Sequence, residues 1–371
     1  EKISLIGLFK KAQSSITKGV NFIQLDLESV AEFEEPDLKK KIESDIKEKL
    51  GITFGIHSET KAAGIEAAEL DSAIGIEYDR AHKRIVDILE KSADIGSKYL
   101  LIHSSESDPF PLLALKTQPS DLVDFYGRPL NQFLEENSWL IDWVMGEGEW
   151  EGKKNGKFIW IEILREDFDM YLERVKEDYI ESYKMEYQRE PPDKSIEDRI
   201  KMIKKRLRRM FIDETSSKSL HYGPERWAYF LIAKWMEKNN DRLWNDIINI
   251  SIEFFAKRAK KSVGEWKVEK MITAHSIDDE NFRNAHELWV PAVSAKYIYG
   301  HMNPKEERYK DPKKIMRKSD MPLVLESPMG GRGIEEWLRF ANPLQYYFLA
   351  KEVGFDCLQL ALDFEHMLSI R

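Results

Sequence analysis

Histidine is scarce in this chain, eight residues in 371, and its placement is informative. His57 directly follows the apolar run ITFGI, and His103 directly follows YLLI. Glu326 follows PLVL and opens a segment of mostly small residues, SPMGGRG. Asp363 follows CLQLAL, with His366 three residues later and Glu365 between them. Imidazoles and carboxylates that converge suit Zn²⁺, Mn²⁺ or Fe²⁺. Such ions lower the pKa of bound water and polarise a phosphoryl or carbonyl oxygen. A lone histidine after a strand is more often a hydrogen-bonded structural residue. Five suitable groups after four consecutive strands point instead to a metal site made of His57, His103, Glu326, Asp363 and His366.

The elements that would position these residues alternate. Residues 3–6 are a short apolar run that reads as a strand, and residues 10–18 as a short helix stopped by Gly19. Residues 20–27 (VNFIQLDL) alternate and are rich in β-formers, so they read as a second strand. A charged helix over 37–50 ends at Gly51, and 52–56 is a third strand. Residues 78–95 carry Ile85, Ile88, Leu89 and Ala93 at helical spacing, closed by Gly96. Residues 99–102 are apolar throughout, as a buried parallel strand should be. The pattern returns near the end: strand 322–325, helix 333–353 broken near Pro343, then strand 357–362. Repeated βα units imply parallel strands with right-handed crossovers. Six strands are expected where a closed (β/α)₈ barrel needs eight, so the last two βα units are expected to be absent from this chain. In such a barrel, groups that follow strands share one mouth. Asp26 and Glu28, at the end of the second strand, and Arg332, after the fifth, join the site as candidate substrate contacts.

Residues 105–320 read differently, as a mainly helical insertion between a core of 1–104 and 321–371. Nine of the ten tryptophans lie there, most simply as core. A hairpin is expected around Asn155-Gly156. Residues 199–209 hold seven basic residues and no acidic one. A solvated helix face explains that run, and a phosphate-backbone contact through Lys204, Lys205, Arg206, Arg208 and Arg209 is the sharper alternative. The insertion fits a lid or substrate-reading module, or equally a surface for a protein partner or homo-oligomer.

Composition narrows the function classes. No run of about 18 apolar residues could span a bilayer, and no secretory leader is visible. A single cysteine, Cys357, excludes an internal disulfide and fits a reducing cytoplasm. A charged fraction of 33%, rich in Lys and Glu, leans toward a heat-loving source. The net charge of -9 argues against a general nucleic-acid coat but permits a local basic patch.

Taken in order, GIHSE at His57, LIHSS at His103, LESPMGGRG at Glu326 and LDFEH at Asp363 and His366 resemble endonuclease IV and its relatives among the xylose isomerase-like barrels. The resemblance covers about residues 1–104 and 321–371. It implies a TIM (β/α)₈ barrel and a metal-dependent phosphodiesterase acting on abasic or damaged DNA, hence a DNA-repair role. It implies up to three Zn²⁺, with Mn or Mg as alternatives, and Glu326 bridging ions and positioning the attacking hydroxide. His57 and His103 would hold a more exposed ion, and Asp363 and His366 would complete the set. Family ligands after the seventh and eighth strands have no counterpart here. A second branch of the superfamily, the sugar isomerases and epimerases, would use one ion, with the histidines contacting a small sugar. A third reading is a non-catalytic barrel whose insertion binds a partner.

Overall fold

The structure, a computed structural model, describes residues 7–15, 20–27, 30–58, 70–103, 121–140, 168–201, 225–258, 286–326 and 343–362. The chain divides into two units: the first is Glu1–Asp71, Glu77–Ser107 and Ser294–Arg371, the second Ser72–Ile76 and Asp108–Val293.

The first unit is α/β, built on strands whose residues alternate between two environments. In β1 (Phe22–Asp26) Ile23 and Leu25 are buried while Phe22, Gln24 and Asp26 are exposed. β2 (Thr53–His57) buries Phe54 and Ile56, β3 (Leu100–His103) buries Leu100 and Ile102, and β4 (Leu323–Glu326) buries Leu323 and Leu325. These eight side chains lie on one face of the sheet, because successive residues of a strand point to opposite faces. Each contributes about 1.5–3 kcal/mol on burial, which is what holds the strands in register. β5 (Leu358–Ala361) completes a five-stranded sheet of order β1-β2-β3-β4-β5, with every pair parallel. Strand order never reverses across these five. They correspond to the second through sixth strands expected from sequence; the expected strand over 3–6 lies outside the described residues.

The helices follow the same logic. α1 (Leu8–Ser15) precedes β1, and its Lys11 donates from Nζ to the Asp26 carbonyl at 2.9 Å while pairing with buried Glu32 at 2.8 Å. α2 (Leu38–Lys41) continues into a π-helical stretch, Ile42–Glu48, where sequence suggested one ordinary helix. α3 (Gly75–Asp94) buries Tyr78, Ala81, His82, Ile85, Val86, Ile88, Leu89 and Ser92, one stripe at helical spacing. Gly96 ends it with φ 75°, letting Ser97 N–H reach the Ser92 carbonyl and Gly96 N–H the Ala93 carbonyl, both at 3.0 Å. That doubly bonded stop turns the chain directly into β3.

The described residues of the second unit are mainly helical, in α4 (Leu130–Glu136), α5 (Phe168–Tyr187), α6 (Glu225–Lys238) and α7 (Arg242–Arg258), with isolated antiparallel bridges between Ile74 and Leu122 and between Val123 and Pro129. Trp235 packs between Phe125 and Phe133, with centroids at 5.2 and 5.9 Å, and donates to Asn137 Oδ1 at 3.1 Å. Trp244 is buried and Trp235 half-buried, so both pack into the core of this unit. Burial raises the pKa of the Asp124 carboxyl despite bonds from Arg128 and the Tyr126 amide. The expected hairpin and most of the basic run, including Lys204, Lys205, Arg206, Arg208 and Arg209, lie outside the described residues. α8 (His286–Met302) carries the chain from the second unit into the first. There α9 (Pro312–Ser319) leads to β4 and α10 (Pro343–Val353) leads to β5. No described helix is long and apolar enough to cross a membrane.

Candidate metal centre

The sheet face opposite the apolar one carries the polar residues. Asp26 is the register partner of His57, and Glu326 that of His103. His57 also pairs with Leu101, so His103 stands two residues further along β3 and on the same face. Four chemically capable side chains therefore stand on one face, in two successive rungs, at the C-terminal ends of β1 to β4. The ladder runs on past them: Leu27 N–H bonds the His57 carbonyl and Ser58 N–H the Leu101 carbonyl, both at 2.8 Å. These bonds fix the backbone beneath them.

The side chains converge. Glu326 Oε2 lies 3.7 Å from His57 Nε2 and 3.6 Å from His103 Nε2. Those separations exceed a good hydrogen bond. They match two atoms bound to one ion: ligands each about 2.1 Å from a tetrahedral centre stand about 3.4 Å apart. The two imidazoles meet edge to face at 5.4 Å and 73°. Among the described residues, His57, His103 and Glu326 form the one group of three such side chains with ligand atoms all within 4.8 Å of one another. The side chains are 15%, 18% and 10% exposed, so a ligand could enter but water is largely displaced. A carboxylate this buried needs compensation by a cation or by donors.

Behind His57 lies a polar network. Its Nδ1 is 3.2 Å from Asp26 Oδ1 and 3.5 Å from Gln24 Nε2. Tyr99 donates its hydroxyl to Gln24 Oε1 at 2.8 Å. The His57 bond holds the Asp26 carboxyl below its ordinary range; partial burial opposes this, and Gln24 and Lys11 add to the lowering. The Tyr99 hydroxyl is pushed up by burial and then by the negative charge of Asp26 and Glu326. Gly55 makes the arrangement fit, since a Cβ there would stand 2.2 Å from the Tyr99 ring.

Of the residues expected at the site, the structure brings His57, His103, Glu326 and Asp26 together. Asp363, His366, Glu28 and Arg332 lie outside the described residues. Gln24 and Tyr99 carried no signal in sequence beyond their place in strands, and the bond between them spans 75 residues. Also unforeseen is a second histidine pair, His82 with His301, buried among tyrosines. Its one trace in the sequence was His82 sitting in step with Ile85 and Leu89 on an apolar helix stripe. Comparison of the chain with protein-family models, with curated proteins and with solved structures gives no match.

Proposed function

We propose that the chain is a metal-dependent phosphodiesterase of the endonuclease IV kind, cleaving DNA at abasic or damaged sites, and that its sheet is an arc of a (β/α)₈ barrel. The observation that carries this reading is the shared Glu326 Oε2, within 3.7 Å of both imidazole Nε2 atoms. An unreversed parallel order with polar groups at C-terminal strand ends is the arrangement expected of a barrel mouth. It is unlike a doubly wound sheet, whose order reverses at the ligand crevice.

The donor set fits a divalent ion, zinc first: two nitrogen ligands and one carboxylate, with room for further ligands. Bound there, such an ion would lower the pKa of a bound water toward neutrality and offset the charge of a phosphoryl oxygen. The chain's own residues have separable tasks. His57 and His103 would each offer an imidazole nitrogen, and Glu326 would offer carboxylate oxygens and offset the charge of the ions. Ala361 is the register partner of Glu326, and Asp363 comes two residues after Ala361 in the sequence. We assign Asp363 and His366 to a second ion on that placement. Arg332 and Glu28 remain candidate contacts to DNA, and the basic run at Lys204–Arg209 a candidate contact to its backbone.

Convergence of both histidines on one oxygen supports ligation over separate contacts to a sugar, which places the isomerase reading second. The test is strand cleavage of a duplex bearing one abasic site, with and without chelator, beside interconversion of aldose and ketose sugars. Chelator-sensitive cleavage that Glu326→Gln abolishes is the expected result. Sugar interconversion without cleavage would replace the reading.

A further inference from the structure

The network behind His57 has a direction that its distances alone do not state. Nδ1 of His57 faces two groups, the Asp26 carboxylate at 3.2 Å and the Gln24 amide nitrogen at 3.5 Å. Gln24 Oε1 is committed to the Tyr99 hydroxyl, so the side of Gln24 that faces His57 and Asp26 is its NH₂, which only donates. Gln24 also bonds Asp26 and lowers its pKa. Two tautomers of His57 compete. With hydrogen on Nε2, the bare Nδ1 could accept from the Gln24 amide at 3.5 Å, but its lone pair would also face an ionised carboxylate at 3.2 Å, a closer and repulsive contact. With hydrogen on Nδ1, the same contact becomes a charge-assisted bond, about twice as strong as a neutral one. The second arrangement wins, and donors then run in one sense: Tyr99 to Gln24, Gln24 to Asp26, His57 to Asp26.

The consequence falls on the opposite edge of the ring. Nδ1 and Nε2 point apart, so Asp26 cannot share an ion with His57 Nε2 and does not compete with Glu326. We propose that Asp26 is the positioning residue of His57: it fixes the Nδ1–H tautomer and aims the Nε2 lone pair at Glu326 and His103, and Gln24 and Tyr99 hold Asp26 in place. The tautomer assignment stands on these contacts, while its effect on metal affinity rests on the metal reading above. Hydrogen-bonded partners behind metal-binding histidines are worth about 10–100-fold in affinity. The Asp26 side chain is 63% exposed, so its replacement leaves the fold intact.

The experiment uses the full chain, labelled with ¹⁵N and free of metal. Long-range ¹H–¹⁵N correlation of the imidazoles, with His57 assigned by comparison with His57→Gln, reads the tautomer. Zinc affinity is then read by competition with a chromogenic chelator. The wild type should show the Nδ1–H pattern. Asp26→Ala should lose that pattern and bind zinc about 10–100-fold more weakly. Asp26→Asn keeps an oxygen acceptor and should retain the tautomer with an intermediate affinity, a rescue that a merely structural role would not give. Tyr99→Phe should weaken zinc least. An Nε2–H pattern in the wild type, or an Asp26→Ala protein with the wild-type tautomer and affinity, would overturn the proposal. A wild type that shows Nδ1–H but binds no zinc would sink the metal reading and leave the positioning role standing.

Discussion

The first unit holds two histidine pairs that look alike by residue type and differ in surroundings. His57 and His103 are partly open, meet a shared carboxylate, and have their nitrogens 3.6–3.7 Å from it. His82 and His301 are 3% and 0% exposed and meet each other, Nδ1 to Nδ1 at 3.2 Å. His82 Nε2 donates to the Lys310 carbonyl at 2.9 Å, so its Nδ1 accepts from His301 Nδ1–H. Tyr78 stacks on His301 at 3.9 Å, and Tyr309 tilts against His82 at 4.6 Å. The two facing Nδ1 atoms share one hydrogen, and His82 Nε2 is satisfied by backbone. A carboxylate oxygen within 3.7 Å of both imidazoles, not the presence of two imidazoles, separates the candidate ion site from a packed polar contact.

The largest effect that would break this contrast is on zinc. Glu326→Gln should weaken binding by more than about 100-fold, beyond the range for an outer partner of a ligand, as read by chelator competition. Replacing His82 or His301 should leave zinc affinity unchanged.

Stability should respond the other way. His301→Ala empties a fully buried site beside Tyr78 and His82, and should lower the free energy of unfolding by about 2–5 kcal/mol in urea. His57→Ala, at a partly open strand end, should cost under about 1 kcal/mol. Equal costs would erase the distinction. Gly55→Ala comes next: its Cβ must displace the Tyr99 ring, for about 1–3 kcal/mol, and Tyr99→Phe should not reproduce that loss.

The pH dependence separates the pairs more finely. Burial lowers the pKa of His82 below the ordinary 6.5, opposed by the Lys310 carbonyl, Asp79 and Asp311. Burial, with His82 alongside, lowers that of His301 much further. A depressed histidine pKa means that the unfolded chain takes up the proton first. The stabilisation is therefore complete above about pH 7 and declines as pH falls through the unfolded value. The slope should approach about 1.4 kcal/mol per pH unit for each proton taken up. Urea midpoints between pH 7.5 and 5 should drift less in the His82→Gln, His301→Gln double variant than in the wild type. Identical drifts would show that other groups carry the dependence.

How much of this was legible in the sequence follows from distance along the chain. The strands were readable because alternation and short apolar runs are local patterns, and the five described strands fall within a residue or two of the expected ones. His57, His103 and Glu326 were readable for the same reason, since each directly follows such a run. Asp26 was read as a candidate substrate contact at the end of its strand; that it touches His57 was not legible, because sequence does not say which side chains meet across strands. Its bond to His57 joins residues 31 apart. The His82–His301 contact spans 219 residues, and neither histidine stands at a strand end. The extent of the helix over 37–50 was visible, but not its π-helical stretch, which no residue type marks.

The central claim is that His57, His103 and Glu326 hold a divalent ion. Its most direct test is zinc content per folded chain by elemental analysis, after loading and removal of excess, for the wild type beside Glu326→Gln. At least one zinc per wild-type chain, lost in the variant, is the predicted result. No zinc in either protein, or equal zinc in both, would contradict the account.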